Sequence, residues 1–143
     1  MAKLTVEIIT GESVIYQATE VDSVVAPGSV GTLGILPGHA KLVSTLASGE
    51  IKIRRSESDE FFVVFGGFIE VSENKVIVLA DTAERAADID LKRVANARVR
   101  AETAMQNRGA TEDIAEAEEA LRRAALRERI GQQRQGRGMG SNT

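Results

Sequence analysis

Phe61-Phe62-Val63-Val64-Phe65-Gly66-Gly67-Phe68-Ile69-Glu70-Val71 is the stretch on which the fold turns. Its first five residues are all apolar, so both faces of an extended chain are apolar, as in a central strand covered on both sides. Gly66-Gly67 then permits a bulge or a close backbone approach before the alternation resumes at Phe68. All four Phe of the chain lie between Phe61 and Phe68, which predicts the thickest part of the core there. Ser72-Glu73-Asn74-Lys75 turns the chain into Val76-Ile77-Val78-Leu79-Ala80, a last buried strand.

Upstream, the period of two persists back to Leu4. Leu4, Val6 and Ile8 share one face, Gly11-Glu12-Ser13 turns the chain, and Val14 to Ala26 is a long run expected to bend or bulge near Ala18 to Glu20. Leu42-Val43-Ser44-Thr45-Leu46, a turn at Ala47-Ser48-Gly49, Ile51-Lys52-Ile53-Arg54 and a polar tip at Ser56 to Glu60 complete the pattern. Roughly seven to ten short strands with no intervening helical period predict an antiparallel β-sandwich or flattened barrel over residues 1–84. Within it, Ala26-Pro27-Gly28-Ser29-Val30-Gly31-Thr32-Leu33-Gly34-Ile35-Leu36-Pro37-Gly38-His39-Ala40 holds both prolines and the only histidine. This is two tight turns around a short extended piece, and such a loop on a rigid scaffold is a place of contact.

At Asp81 the period changes. Thr82 to Ala87 is a connector, and Asp88 is the expected N-cap of a helix from Ile89 to about Arg108. Asn107-Arg108-Gly109-Ala110 supplies a stop, and Thr111 caps a second helix to about Ile130. The short link predicts an antiparallel hairpin over residues 85–131. Its facing stripes are thin: Leu91, Val94, Ala97, Ala101 and Met105 on one helix, Ile114, Ala117, Leu121 and Ala124 on the other. A buried CH₂ contributes about 0.8 kcal/mol, so this alanine-rich interface should separate or move at modest cost. Residues 132–143, rich in Gly, Gln and Arg, are expected to form a disordered tail. The fold class is mainly β plus α, an N-terminal antiparallel sandwich followed by a two-helix hairpin.

A chain of 143 residues with 43% hydrophobic content allows one ordinary domain with an appendage. Cys is absent, which removes disulfides and thiol chemistry. No apolar run approaches the roughly 20 residues that span a bilayer, so a membrane is expected to be met only through partners. Residues 1–84 carry six Lys and Arg against twelve Asp and Glu, and residues 85–143 carry twelve against nine. An acidic first part and a basic second part imply two modules with different surroundings.

No catalytic constellation or metal site is assigned. His39 stands alone in a turn, and the glycines around it lack the Lys-Ser/Thr that ends a phosphate loop. Arg93 and Arg100 lie seven apart on one helix, and Arg123 and Arg127 four apart on the other. With Glu84 and Asp90 they form either a polar pocket that grips a polyphosphate or a solvated face laced by Glu119-Arg123 and Glu118-Arg122 pairs.

Val21-Asp22-Ser23-Val24-Val25-Ala26-Pro27-Gly28, Gly31-x-Leu33-Gly34-Ile35-Leu36-Pro37-Gly38-His39-Ala40, Phe65-Gly66-Gly67-Phe68-Ile69-Glu70-Val71 and Val76-x-Val78-Leu79-Ala80-Asp81-Thr82-Ala83-Glu84 closely resemble the epsilon subunits of bacterial F-type ATP synthases. The resemblance covers the whole first part in order and is looser in the helices. It implies a non-catalytic rotor-stalk protein whose sandwich binds the gamma subunit and the c-ring, coupling proton flow to ATP synthesis. It places Gly28, Ser29, Val30, Gly31 and His39 at the c-ring. The hairpin is implied to be a mobile brake on ATP hydrolysis that reaches the alpha/beta catalytic head when extended. The implied location is peripheral, on the cytoplasmic face of the bacterial cell membrane. No cofactor is required, and ATP is implied as a regulatory ligand of the folded hairpin. Ile89, Asp90 and Arg93 match the family's nucleotide motif, and Glu84, Arg100, Arg123 and Arg127 stand where helper residues are expected. Val94 departs from that motif, putting a β-branched side chain where a small one is expected. A competing expectation is a nucleic-acid binder using the Arg-rich helix and Arg134-Gln135-Gly136-Arg137-Gly138. The acidic first part, one Tyr and no Trp argue against it, so no nucleic-acid partner is expected.

Overall fold

The computed structural model describes residues 2–11, 13–107 and 111–140, with the backbone alone for 111–113 and 137–140. The chain divides into two compact units, Met1–Arg85 and Ala86–Thr143. The first unit holds eight strands: β1 (Leu4–Thr10), β2 (Ser13–Val21), β3 (Ser23–Gly28), β4 (Gly31–Ile35), β5 (Leu42–Thr45), β6 (Gly49–Arg55), β7 (Ser58–Ser72) and β8 (Lys75–Arg85). Their order is β2-β1-β8-β7-β6-β3-β4, with β5 also on β7. The 15-residue β7 organises this unit. Its first half pairs with β6 from Arg55↔Ser58 to Gly49↔Val64, and its second half pairs with β5 from Thr45↔Phe68 to Leu42↔Val71. Neighbouring strands are antiparallel except β1 and β8, which run parallel from Thr5↔Lys75 to Thr10↔Ala80. Far apart in sequence, these two strands need no tight turn between them.

The diglycine is where two backbones come close, and it is not a bulge. Phe65↔Thr82 and Gly67↔Ala80 keep step across it, while Gly66 and Gly67 have φ of 70° and 112°. A Cβ on Gly67 would lie 2.0 Å from the Leu79 carbonyl oxygen and 2.7 Å from Ala80 Cα. The bulge lies on β2 as predicted, where Leu4↔Val21 and Val6↔Ala18 leave an extra residue and Glu20 takes a φ of 59°. The long run from Val14 divides at Asp22 into β2 and β3. Asp22 binds the Lys3 ammonium and accepts the Ser56 N–H at 2.9 Å. The Lys3 hydrogen bond is the main cause that holds its carboxyl below the usual carboxylate value. Glu12 lies outside the described residues.

Leu4, Val6 and Ile8 are inaccessible and pack with Val24, Ile51, Ile53, Phe62, Ile69, Val76 and Val78 in one core. Of the four Phe only Phe62 is fully buried, and Phe68 is 53% exposed, so the aromatic run does not fill the core as predicted. The diglycine is the reason: Phe62 and Phe68 are an even number apart and would share a face in an unbroken strand, but the inward positions change from Phe62 and Val64 before the glycines to Ile69 and Val71 after them.

The second unit opens with a 3₁₀ turn, Ala86–Asp88, followed by α1 (Leu91–Gln106) and α2 (Thr111–Gly140). The N-cap of α1 is Asp90 and not Asp88: its carboxylate accepts the Arg93 N–H at 3.0 Å. Ile89 is buried and its N–H returns to the Ala86 carbonyl, so the chain completes a tight turn before the helix begins. The predicted stripes face inward, with Val94, Ala101, Ala117 and Ala124 buried. Arg98 strengthens this thin seam, donating to Glu128 of α2 at 2.8 Å and to Glu102 at 2.9 Å, which holds its guanidinium pKa above the usual value. The link at 108–110 and the Thr111 side chain lie outside the described residues.

The second helix does not stop near Ile130. It continues to Gly140, through most of the expected tail, because Ile130 and Gly131 are buried and Gln135 finds backbone partners. Residues 141–143 lie outside the described residues. No helix among the described residues is long and apolar enough to cross a membrane.

Candidate functional site

The two turns of the Pro-Gly stretch lie at opposite ends of β4, about 15 Å apart at a strand's rise per residue. The first is the β3–β4 tip. Gly28 pairs with Gly31, and the tip is tied to β5: the Ser29 N–H donates to the Thr45 carbonyl at 3.1 Å, and the two hydroxyls are 2.5 Å apart. Gly28 itself is buried, and a Cβ there would lie 2.6 Å from the Gly31 carbonyl oxygen, so it shapes the tip. Ser29 and Gly31 are exposed and Val30 is 95% exposed. The second turn carries Leu36, 62% exposed, and half-buried His39. Asn74, in the β7–β8 turn, accepts the Gly38 N–H at 2.7 Å and fixes this loop. His39 Nδ1 is 2.7 Å from the Ala40 carbonyl oxygen, which requires the proton on Nδ1. The structure therefore groups Ser29, Val30 and Gly31 at one place and His39 at another.

A row of side chains that the sequence did not single out crosses the sheet beside the tip. Register places Val14, Ile9, Leu79, Phe68 and Thr45 side by side on β2, β1, β8, β7 and β5. These are the outward positions of the strands, and Val14, Leu79 and Phe68 are 59%, 46% and 53% exposed. The next row holds Ile77, Glu70 and Val43, Val43 also exposed. Clustered apolar exposure of this kind suits a surface of contact. At the end of the same unit Arg85 lies 3.4 Å from Glu60 and over the rings of Tyr16 and Phe62. Burial, and then the neighbouring Glu60 carboxylate, push the Tyr16 phenol up to about 12.

On the hairpin, Arg93, Ala97, Arg100 and Ala104 follow one another at helical spacing, as do Glu116, Ala120, Arg123 and Arg127. A groove of ≈ 450 Å³ between the helices is lined by Arg100, Glu116 and five alanines. Of the candidate nucleotide residues only Arg100 lines it. Asp90 is occupied as a cap, Ile89 is buried, Arg123 lies 3.6 Å from Glu119, and Glu84 belongs to β8 in the first unit, opposite Val63. Val94 is buried, which turns its methyls to the packed side of α1. Among the described residues no group of three His, Cys, Asp or Glu is placed to hold a metal ion.

The first unit is thus a β-sandwich with an exposed apolar row and a braced tip, and the second is a helical hairpin. Residues 3–86 match the family model "ATP synthase, Delta/Epsilon chain, beta-sandwich domain". The ATP synthase epsilon chain of Moorella thermoacetica is 49% identical over 128 residues, 89% of this chain and 95% of that one. That of Herpetosiphon aurantiacus is 45% identical over 134 residues, 94% of this chain and 98% of that one. The chain belongs to the family of ATP synthase epsilon chains. Its fold is also that of a chain in the Euglena gracilis mitochondrial ATP synthase OSCP/F1/c-ring assembly, with a TM-score of 0.72 at 23% identity over 85% of this chain and 76% of that one. A chain of the Tetrahymena thermophila mitochondrial ATP synthase central stalk/c-ring aligns at a TM-score of 0.60 and 18% identity, over 91% and 97%.

Proposed function

We propose that this chain is a non-catalytic subunit of the central stalk, held to the gamma subunit and the c-ring by its sandwich. The observation that carries this reading is the row of exposed Val14, Leu79 and Phe68 with half-buried Ile9 among them. Half-exposed Phe and Leu side by side are favourable to bury against another apolar surface and unfavourable to leave in water. Val30, projecting from a tip braced on β5, suits a second contact, and we assign it with Ser29 and Gly31 to the c-ring; His39 belongs to that contact only if the ring surface extends along β4. The complex sits on the cytoplasmic face of the membrane, and the chain meets lipid only through it. The hairpin is the regulatory part: it inhibits hydrolysis by extending to the alpha/beta head, and its alanine seam favours such movement. ATP, bound at the groove through Arg100 with Arg93, Arg123 and Arg127 at its flanks, is the regulatory ligand that favours the folded hairpin.

The test is capture by purified gamma of the full chain and of a Phe68→Ser/Leu79→Ser variant, with RNA-coated resin alongside. Capture by gamma that the double substitution weakens about a hundredfold, at unchanged thermal stability, supports the reading. Retention on RNA and not on gamma removes it in favour of the nucleic-acid alternative.

A further inference from the structure

We propose that Gln135 and Gly131 form a latch that closes the root of the hairpin, the end opposite its connecting loop. Gln135 Nε2 donates to the carbonyl oxygens of Ile89 at 2.8 Å and Ala86 at 3.1 Å, with that of Ala87 at 3.4 Å. These carbonyls belong to the 3₁₀ turn and the residue before the Asp90 cap, the segment through which the chain enters α1. One helical turn earlier, Gly131 lets α2 come close: a Cβ there would lie 2.8 Å from Leu91 Cδ2 and 3.2 Å from Ile89 Cγ2. Ile130 is buried beside it.

Beyond Val94 the seam between α1 and α2 is mostly alanine, crossed by the Arg98–Glu128 pair, and the groove lies on the loop side of that pair, along Ala97 to Ala104 and Glu116 to Ala120. At the root the fastening is a side chain held by backbone carbonyls. Separating the helices there strips a primary amide from its backbone acceptors and uncovers Ile89 and Leu91 together. The last turns of α2 therefore hold the entry to α1, and the hairpin opens when Gln135 lets go. The consequence for the enzyme rests on the mobile-brake reading above; the latch itself does not.

Amide hydrogen exchange of the full-length chain tests it, read over residues 86–91 and 127–136 in Gln135→Met, Gln135→Glu and Gln135→Lys. All three replacements suit a helix; Met and Glu match the length of Gln, Lys reaches one atom further, and only Lys retains a donor. Loss of the donated bonds speeds exchange of the Ile89 segment about tenfold in the Met and Glu variants, and Lys restores slow exchange. Parental rates in Met and Glu, or Lys as fast as Met, overturn the latch; far-UV circular dichroism verifies that each variant is folded. In the assembled enzyme, Gln135→Met lowers ATP hydrolysis by freeing the brake. If deletion of residues 88–143 leaves hydrolysis unchanged while exchange still responds to the donor, the brake reading falls and the latch stands.

Discussion

Replacing Gly67 with Ala tests the central feature of the sandwich, the approach of β8 to the diglycine of β7. Gly67 has φ 112°, beyond the left-handed well that L-residues tolerate, and entering even that well costs about 1–2 kcal/mol. The added methyl would lie 2.0 Å from the Leu79 carbonyl oxygen, a backbone atom that cannot rotate away. Relief requires β8 to shift, at about 1–3 kcal/mol for overpacking, and it disturbs the Leu46 N–H bond to the Gly67 carbonyl, made at 2.8 Å, worth about 1 kcal/mol more. A loss of about 4 kcal/mol is a large part of the 4–13 kcal/mol expected for roughly 85 residues. Urea unfolding followed by circular dichroism should show the midpoint falling by about 2–3 M at an ordinary slope. Gly34→Ala is the control: on β4, with open space around its missing Cβ and no positive φ, it should be neutral or slightly stabilising. A Gly67→Ala midpoint within 0.5 M, or about 1 kcal/mol, of the parent would refute the close-approach explanation.

Other consequences are accessible to simpler measurements. Truncation after Ala87 should leave a folded sandwich that gamma still captures and should raise ATP hydrolysis by the assembled enzyme; unchanged hydrolysis counts against a brake. Arg100→Ala should weaken ATP binding to the full chain tenfold or more by calorimetry, since a guanidinium-phosphate pair is charge-assisted, and absence of heat with the parent chain removes the nucleotide site. Asp22 has its carboxyl held below 3.8 in the fold, chiefly by Lys3. Its contribution is present above that value and is lost as pH falls through the lower folded value. Asp22→Asn should therefore reduce stability at neutral pH, and the difference should vanish under acid conditions in a pH series of urea melts.

Much of the architecture was legible in local pattern. Alternation named β1 and β6, the bulge before Glu20 followed from a strand too long to stay regular, and the inward stripes of both helices followed from 3.6-residue spacing. The helix boundaries were less legible. Asp88 and Asp90 both suit a cap, and only the burial of Ile89 selects the second. Composition argued for a tail from Gly131 onward, yet Gly131 leaves room for Ile89 and Leu91, and Gln135 donates to carbonyls more than 40 positions earlier. The exposed row was missed because each member looks like an ordinary strand residue, and only register brings Val14, Ile9, Leu79 and Phe68 together.

By itself the sequence determined the run of strands and the two helices that follow it, though not that β8 runs on to Arg85 or α2 to Gly140, and the four ordered motifs that resemble the epsilon subunits. Those properties are local: hydrophobic period, turn chemistry and residue identity suffice for them. Tertiary structure alone decided that Phe62 enters the core while Phe68 faces outward, and that the two Pro-Gly turns stand at opposite ends of β4. It also decided that Gln135 reaches back to Ala86 and Ile89. Each depends on which strand or helix lies next to which, and that pairing is set by packing between segments distant in the chain, which local periodicity does not encode.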